Sequence, residues 1–363
     1  MSDRILNFAL VGCGRIAKKH AELLGTGQIP NARLAAVCDI VEEKAKFFGE
    51  KYNVPYYTDM DEMMQKENID VVSVLTESGN HAKHTIHLSQ YGKHIIVEKP
   101  MALTLDDADR MIEACDRNNC KLFVVKQNRF NLPVQKLREA LEKGRFGKLV
   151  LGTVRVRWMR DQNYYNLAPW RGTWALDGGV LSNQASHHVD LLQWMMGPVV
   201  SVFAKGITAL VDIEAEDTAT AVLTFKNGAL GIIEATTAAR PKDMEGSISI
   251  LGEKGSVVIG GFAVNKIDHW EFTEELPEDE IIRTQFNENP PNVYGFGHKR
   301  YYEDVVHAIL NNTRSLVDGL EGRKSLELIT ALYESMETGK EVFLRFQPKK
   351  CKLGLNNHHN HNH

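Results

Sequence analysis

The stretch Trp170–Asp190, WRGTWALDGGVLSNQASHHVD, gathers side chains that can move protons. An Asp-Gly-Gly turn, read as flexible, leads into a helix pattern with Asn183, His187 and Asp190 at i, i+4 and i+7, all on one face. Further on the stripe turns apolar with Leu191, Trp194 and Met195, and Gly197-Pro198 stops it. A stripe that is polar first and apolar later describes a helix on a core with one end open to a cavity. A histidine there exchanges protons near neutrality, because its unperturbed pKa is about 6.5. The blander reading makes His187 a core histidine satisfied by Asp190, while His188 faces the other way and reads as structural.

Those groups need a scaffold, and the first half of the chain describes one. Apolar runs at 5–11, 33–38, 71–75, 94–97 and 122–125 alternate with amphipathic segments near 15–25, 41–51, 80–91 and 104–118. That rhythm predicts βαβ units and a mostly parallel sheet. The first strand runs into Gly12-Cys13-Gly14-Arg15-Ile16-Ala17, a GxGxxA turn in which Gly12 permits the tight bend and Gly14 lets backbone approach a pyrophosphate. Asp39 ends the second strand, where a carboxylate can accept from both ribose hydroxyls, and no Arg or Lys directly follows it. The pattern predicts NAD rather than NADP, with Gly12, Gly14, Arg15, Ile16 and Asp39 around it. Glu98-Lys99-Pro100 follows the strand 94–97 at the sheet edge where such folds bind ligands, so Glu98 and Lys99 point toward the same cleft.

From about residue 148 the rhythm changes. Val154–Trp158 alternates strictly, 218–225 and 230–235 flank Asn227-Gly228, and 247–251 and 256–259 flank Gly252–Gly255. The expected class is α/β: an N-terminal Rossmann domain (1–126) and an α+β domain with a large, mainly antiparallel open sheet (127–350). Helical patterns near 295–310 and 321–338 are expected to return to the first domain, and a His/Asn-rich tail (351–363) to be disordered. The sheet's second face is left exposed or for self-association.

Charge excludes some functions. A formal charge of −4 and the lack of a basic, aromatic-interleaved patch argue against nucleic acid and against an acidic membrane. No apolar run is long enough to span a bilayer and no signal peptide is visible, so a cytoplasmic location is expected. Cys13, Cys38, Cys115, Cys120 and Cys351 show no metal-type spacing and read as reduced thiols, so no metal is expected.

The GxGxxA turn, Glu98-Lys99-Pro100 and the Gly-Gly segment followed by His187 and Asp190 resemble the Gfo/Idh/MocA oxidoreductase family over nearly the whole chain. The resemblance implies nicotinamide-dependent oxidation of a sugar or cyclitol hydroxyl, with Lys99 and His187 as the catalytic pair. Many members carry Asp where this chain has Asn183, which puts in doubt any step needing a carboxylate there. Segments VVKQNR, WRGTW, NQASHHVDLL, EGSISILGEKG, VNKIDHWEF and VYGFGH are similar to the WlbA-type group. That group implies UDP-N-acetyl-glucosaminuronic acid as substrate and its 3-keto sugar as product, in bacterial surface-polysaccharide (O-antigen) synthesis. It further implies a homotetramer. Such a substrate needs cations in the cleft, and Lys126, Arg129, Arg160 ahead of Tyr164, Arg171 and Arg240 are the candidates. Gln127, Asn128 and Asn183 are expected to orient hydroxyl and acetamido groups. Arg155 and Arg157, on the alternating strand, read as a solvated face. Three alternatives stay open: a neutral polyol as substrate, exchanged roles for Lys99 and His187, and a non-catalytic NAD-binding regulator. The reduced cofactor either leaves or is reoxidised in place by an acceptor such as 2-oxoglutarate.

Overall fold

The computed structural model describes residues 4–290 and 294–344, so the tail from 351, with Cys351, lies outside the described residues. Strands β1 (Leu6–Val11), β2 (Ala32–Cys38), β3 (Tyr56–Tyr57), β4 (Val71–Val74), β5 (His94–Val97) and β6 (Leu122–Val124) form one sheet in the order β3-β2-β1-β4-β5-β6. All of its pairings are parallel. Strands such as LNFALV and VVSV are buried along their whole length. Helices on both faces require that, so continuous apolar runs appear instead of alternation. The covering helices are α1 (Ala17–Gly25), α2 (Glu42–Tyr52), α3 (Met60–Lys66), α4 (His81–Ser89) and α5 (Leu105–Arg117). Asp59 and Thr104 cap α3 and α5 through their side chains, and Asn53 ends α2 in the left-handed conformation. The two-residue edge strand β3 and the short α3 were not expected, being too brief for a period to show.

The second sheet contains β7 (Leu149–Arg157), β8 (Val199–Ile207), β9 (Thr218–Phe225), β10 (Leu230–Thr236), β11 (Glu245–Gly252), β12 (Gly255–Gly260), β13 (Lys266–Phe272) and β14 (Val342–Phe343). Its order is β13-β12-β11-β7-β10-β9-β8-β14, antiparallel except where β10 pairs with β7. Both turn-flanked hairpins form, β9–β10 and β11–β12. The remaining helices are α6 (Leu132–Glu142), α7 (Gln162–Tyr165), α8 (Ser186–Met196), α9 (Pro277–Gln285), α10 (Gly297–Leu310) and α11 (Gly319–Thr338). One sheet face buries Val154, Ile233, Leu223 and Ile250 against Val189 and Leu192 of α8 and Leu328 and Leu332 of α11.

The chain crosses between the two layers more than once. Tyr301, Tyr302 and Val305 of α10 pack with Phe8 and Leu10 of β1, while Leu326 of α11 joins Val124 and Met111 in the core of the parallel sheet. The second sheet's other face carries a row of exposed Phe203, Val222 and Ile232, directly cross-strand from one another. Beside that row Arg157 binds Glu234 at 2.5 and 2.9 Å and Glu245 at 3.1 Å, as a solvated face would. Cys13, Cys38, Cys115 and Cys120 are buried and unbridged. No helix among the described residues is long and apolar enough to cross a membrane.

Candidate active site

A cavity of about 450 Å³ opens at the C-terminal ends of β1, β4 and β5 and reaches across to the start of α8. That edge, beside the switch from β1 to β4, is where parallel sheets take ligands. At the β1–α1 turn Gly12 has φ +100°, and a Cβ there would lie 2.8 Å from the Leu75 carbonyl. Only glycine fits. A Cβ on Gly14 would meet nothing within 4 Å, so the turn is open on that side, and no side chain caps α1. The free amides and partial positive charge of such a helix end suit a phosphate. The Asp39 carboxylate accepts from Cys13 N at 2.7 Å and Val41 N at 2.8 Å, which locks it at the cavity wall. Each oxygen keeps a further lone pair for a ribose hydroxyl. Arg15 lines the same wall with its guanidinium 5.9 Å from the centre of the Tyr294 ring, and Ile16 and Lys44 line it too. This turn, open helix end and fixed carboxylate fit NAD.

Glu98 is buried beneath the cavity. Its carboxylate binds His20 Nε2 at 3.0 Å and accepts from Lys99 N at 2.9 Å, while His20 Nδ1 meets Tyr302 Oη at 2.6 Å. Burial alone would raise the Glu98 carboxyl; His20, His298 and Lys99 together outweigh it and hold the pKa at about 2. Glu98 thus anchors the strand end from which Lys99 projects. Lys99 Nζ donates to Asn183 O at 2.8 Å and to Asn183 Oδ1 at 3.2 Å. Desolvation lowers its pKa from the ordinary lysine value, partly offset by Glu98 and Asp177.

The loop before α8 differs from the expectation in three ways. First, α8 begins at Ser186, so Asn183 sits in the preceding turn rather than on the helix. Second, the Asp-Gly-Gly turn is tightly packed, not flexible: Cβ atoms on Gly178 and Gly179 would come within 2.3 Å of Ser182 and 2.1 Å of Glu216. Third, Asp177 is buried behind the site, 1% exposed, and reaches it through Asn183, accepting from Gly172 N at 2.8 Å and from Asn183 Nδ2 at 2.7 Å. Its spacing carried no helical signal, so nothing local marked it.

His187, in the first turn of α8, lines the cavity with Gln127 Nε2 2.9 Å from its Nε2. An amide nitrogen only donates, so this ring nitrogen holds the lone pair. Burial, then Lys99 and Lys126, push the His187 pKa well below 6.5. The expectation of an unperturbed value is corrected: His187 is a neutral imidazole throughout the physiological range. Gln127 Oε1, Gln184 Oε1 and Arg171 Nε are buried without a hydrogen-bond partner, and their residues line the cavity. Arg160 lies over the rings of Trp158 and Tyr164, and Arg171 over Tyr164 and Trp170, with Arg171 donating to Tyr164 Oη at 2.6 Å. His298, also cavity-lining, is fully buried, and burial lowers its pKa to about 3.

Four expected residues do not reach this cavity. Arg129 grips Asp190 with two bonds of 2.8 Å and binds Glu321 at 3.0 Å, and Lys126 meets Asp190 at 3.2 Å and Ser325. All four groups form one ion cluster, so Arg129 is a structural partner rather than a substrate ligand, and Asp190 does not touch His187. Arg240 is exposed and bonds the backbone of Thr237, Ala239 and Arg160, outside the cavity lining. Asn128 is buried but also outside that lining. His188 packs at 5.6 Å on Trp158 and is outside the cavity lining.

Comparison with known families agrees with this geometry. The NAD-binding Rossmann model of an oxidoreductase family matches residues 6–126, and its C-terminal alpha/beta model matches 138–344. The chain belongs to the Gfo/Idh/MocA oxidoreductase family. It is an NAD-dependent oxidoreductase. Among curated relatives, myo-inositol 2-dehydrogenase of Thermotoga maritima is 30% identical over 93% of this chain and 98% of its own. Among solved structures, the WlbA dehydrogenase from Chromobacterium violaceum, in complex with NADH and UDP-GlcNAcA, is 43% identical. It covers 96% of this chain and 98% of its own at TM-score 0.89. The Bordetella pertussis WlbA dehydrogenase, in the same kind of complex, is 42% identical with coverage of 96% and 100% and TM-score 0.88.

Proposed function

We propose that this oxidoreductase oxidises the C3 hydroxyl of UDP-N-acetyl-glucosaminuronic acid to the 3-keto nucleotide sugar, a step in bacterial surface-polysaccharide synthesis. The observation that carries the reading is the wall of Arg160 and Arg171 stacked on Trp158, Tyr164 and Trp170, facing the same cavity as Lys99 and His187. A protein of net charge −4 that places two guanidinium groups in one cleft, Arg160 beside Asp243 at 2.9 Å and Arg171 with no carboxylate partner among the described residues, favours an anionic ligand. Aromatic plates beside them suit a planar base or a sugar face. The likeness to the two WlbA dehydrogenases over nearly the whole chain supports the same substrate.

In this reading Lys99, held by two hydrogen bonds to Asn183, directs its remaining N–H at the substrate oxygen and stabilises negative charge as it develops. His187 takes the hydroxyl proton at Nε2, where the substrate competes with the Gln127 amide. Burial is the main cause of the lowered His187 pKa, and the negative charge of the substrate offsets the further repulsion from Lys99 and Lys126. NAD, when bound, supplies the two-electron acceptor for the carbon being oxidised. Gln127 Oε1 and Gln184 Oε1, buried and unpaired, are placed to accept from sugar hydroxyls or the acetamido N–H. The exposed Phe203–Val222–Ile232 row fits self-association, with a homotetramer as the proposed assembly. Four buried, unbridged thiols fit the cytoplasm.

A neutral polyol is the second reading, favoured by the Thermotoga maritima relative. The deciding experiment mixes protein and NAD⁺ with a panel of UDP-sugars, myo-inositol and free sugars, with and without 2-oxoglutarate. Absorbance follows NADH, and mass spectrometry detects loss of two hydrogens from the sugar. Turnover of UDP-N-acetyl-glucosaminuronic acid is expected to exceed that of every neutral polyol; rapid oxidation of inositol with idle UDP-sugars overturns the proposal. If 2-oxoglutarate reoxidises the cofactor in place, keto sugar accumulates while absorbance stays flat.

A further inference from the structure

Asp177 is buried and Lys99 partly buried; they carry opposite charge and form no direct ion pair among the described residues, and one side-chain amide lies between them. Asn183 Nδ2 donates to Asp177 Oδ1 at 2.7 Å, while Asn183 Oδ1 accepts from Lys99 Nζ at 3.2 Å. Asp177's other oxygen accepts from Gly172 N at 2.8 Å. Both donors are N–H groups, so Asp177 acts only as an acceptor, as a carboxylate does. The Glu98 carboxylate next to Lys99 in sequence is already engaged by His20.

We propose that Asp177 is a positioning residue that acts on Lys99 through the Asn183 amide, supplying the buried negative charge that keeps the ammonium charged and aimed at the substrate oxygen. The proposal rests on the reading of Lys99 as donor to that oxygen, but not on which sugar is bound. An amide paired at its N–H₂ with a carboxylate is a stronger acceptor at its oxygen, because hydrogen bonds in series polarise one another. The same pairing fixes which way round Asn183 sits, so its oxygen faces Lys99. The charged and titratable groups around Lys99 are Glu98 at its own strand end, Asp177 from the turn, Arg171, Lys126 and His187. Arg171 and Lys126 both repel the ammonium, which makes the second carboxylate matter. Glu216 lies against the same turn and adds like charge to Asp177 when ionised. Burial raises the Asp177 carboxyl, against the pull of its two N–H donors, of Lys99 and of Arg171.

The test uses the full chain with NAD present and three variants, Asp177→Asn, Asn183→Asp and the double swap. Competitive acetylation of Lys99 across pH, read by mass spectrometry, reports its protonation without turnover. The alkaline limb of kcat reports it during turnover, with whichever sugar the enzyme oxidises. Asp177→Asn is expected to shift both profiles down by about one pH unit and to lower kcat on the alkaline limb about tenfold. The swap returns a carboxylate to the pair in direct contact with Lys99 and is expected to restore both. An unchanged labelling profile in a folded Asp177→Asn protein, or a swap no better than that single variant, overturns the proposal. If Asp177→Asn does not fold, Asp177→Ser decides in its place: Lys99 labelling moves to lower pH if the Asp177 carboxylate acts on it, and stays put if the proposal is wrong. A different sugar substrate leaves these shifts intact, so failure of the functional reading is separately visible.

Discussion

Helix α8 carries two polar sites less than one turn apart, and they have opposite fates. His187 faces a cavity, is neutral, and its neighbours Gln127 and Gln184 keep buried oxygens without partners. Asp190 sits among Arg129, Lys126 and Glu321 with its carboxylate bonds filled, and those cations hold its pKa below the ordinary value despite burial. Around His187 the cavity-lining Gln127 and Gln184 keep bonds to make, whereas around Asp190 the charges are spent on one another. Charge alone does not separate the two, since Lys99 and Lys126 are both lysines that burial drives down in pKa.

Substitutions sharpen that contrast. The largest effect on rate is expected from His187→Asn, which removes the proton acceptor and lowers kcat about 10²–10⁴-fold. NAD affinity measured by fluorescence titration and the melting temperature are expected to stay near wild type. Lys99→Met is expected to lower kcat about 10²–10³-fold with the fold intact, as loss of an oxyanion donor does. Asp190→Asn should act the other way, costing about 3–5 kcal/mol in denaturant unfolding by leaving two buried cations underpaired, with kcat per folded molecule largely kept. Equal losses of rate in His187→Asn and Asp190→Asn would erase the distinction.

A smaller effect separates the turn beneath the site by pH. Burial raises the Glu216 carboxyl to about 7, with one oxygen accepting from Leu181 N and Tyr333 Oη and the other unpartnered. An acid raised on folding binds its proton more tightly in the native state. Its stabilising share is therefore complete below about 4.5 and is lost as pH rises toward 7. Glu216→Gln is expected to gain about 1–3 kcal/mol over wild type at pH 8 and little at pH 4, measured by thermal melts at each pH. The smallest effect belongs to the outer sheet face, where Arg157→Ala is expected to cost under about 1 kcal/mol of protomer stability. The same change reads out on association by sedimentation if the face is shared between copies.

The cofactor wall was readable because its determinants are local. Gly12, Gly14 and Asp39 follow directly from strand–turn–helix geometry, and the structure adds only what closes on them, such as the Leu75 carbonyl against Gly12. Strands β1, β2, β4, β5 and β6 appear within a residue or so of the apolar runs, because strands buried on both faces leave an unbroken apolar signal. The substrate side was less readable. Arg129 and Arg160 look alike in sequence, yet Arg129 is buried with Asp190 and Glu321 while Arg160, paired with Asp243 at 2.9 Å, lies over Trp158 and Tyr164 on the cavity wall. Gln184 and Asp177 carried no periodic signal, and their importance comes from which buried atoms they reach or leave unpaired.

The sequence by itself determined the Rossmann half and the preference for NAD, since each follows from spacing along one short segment, whereas Lys99 and His187 as the catalytic pair came only with the family resemblance. Only the tertiary structure decided which charges are spent on each other. Partners from α11 and from the turn after β6 meet α8 across long stretches of chain, and burial sets the protonation of whatever remains unpaired. Pairing and desolvation are properties of the packed interior, and no spacing rule along the chain encodes them.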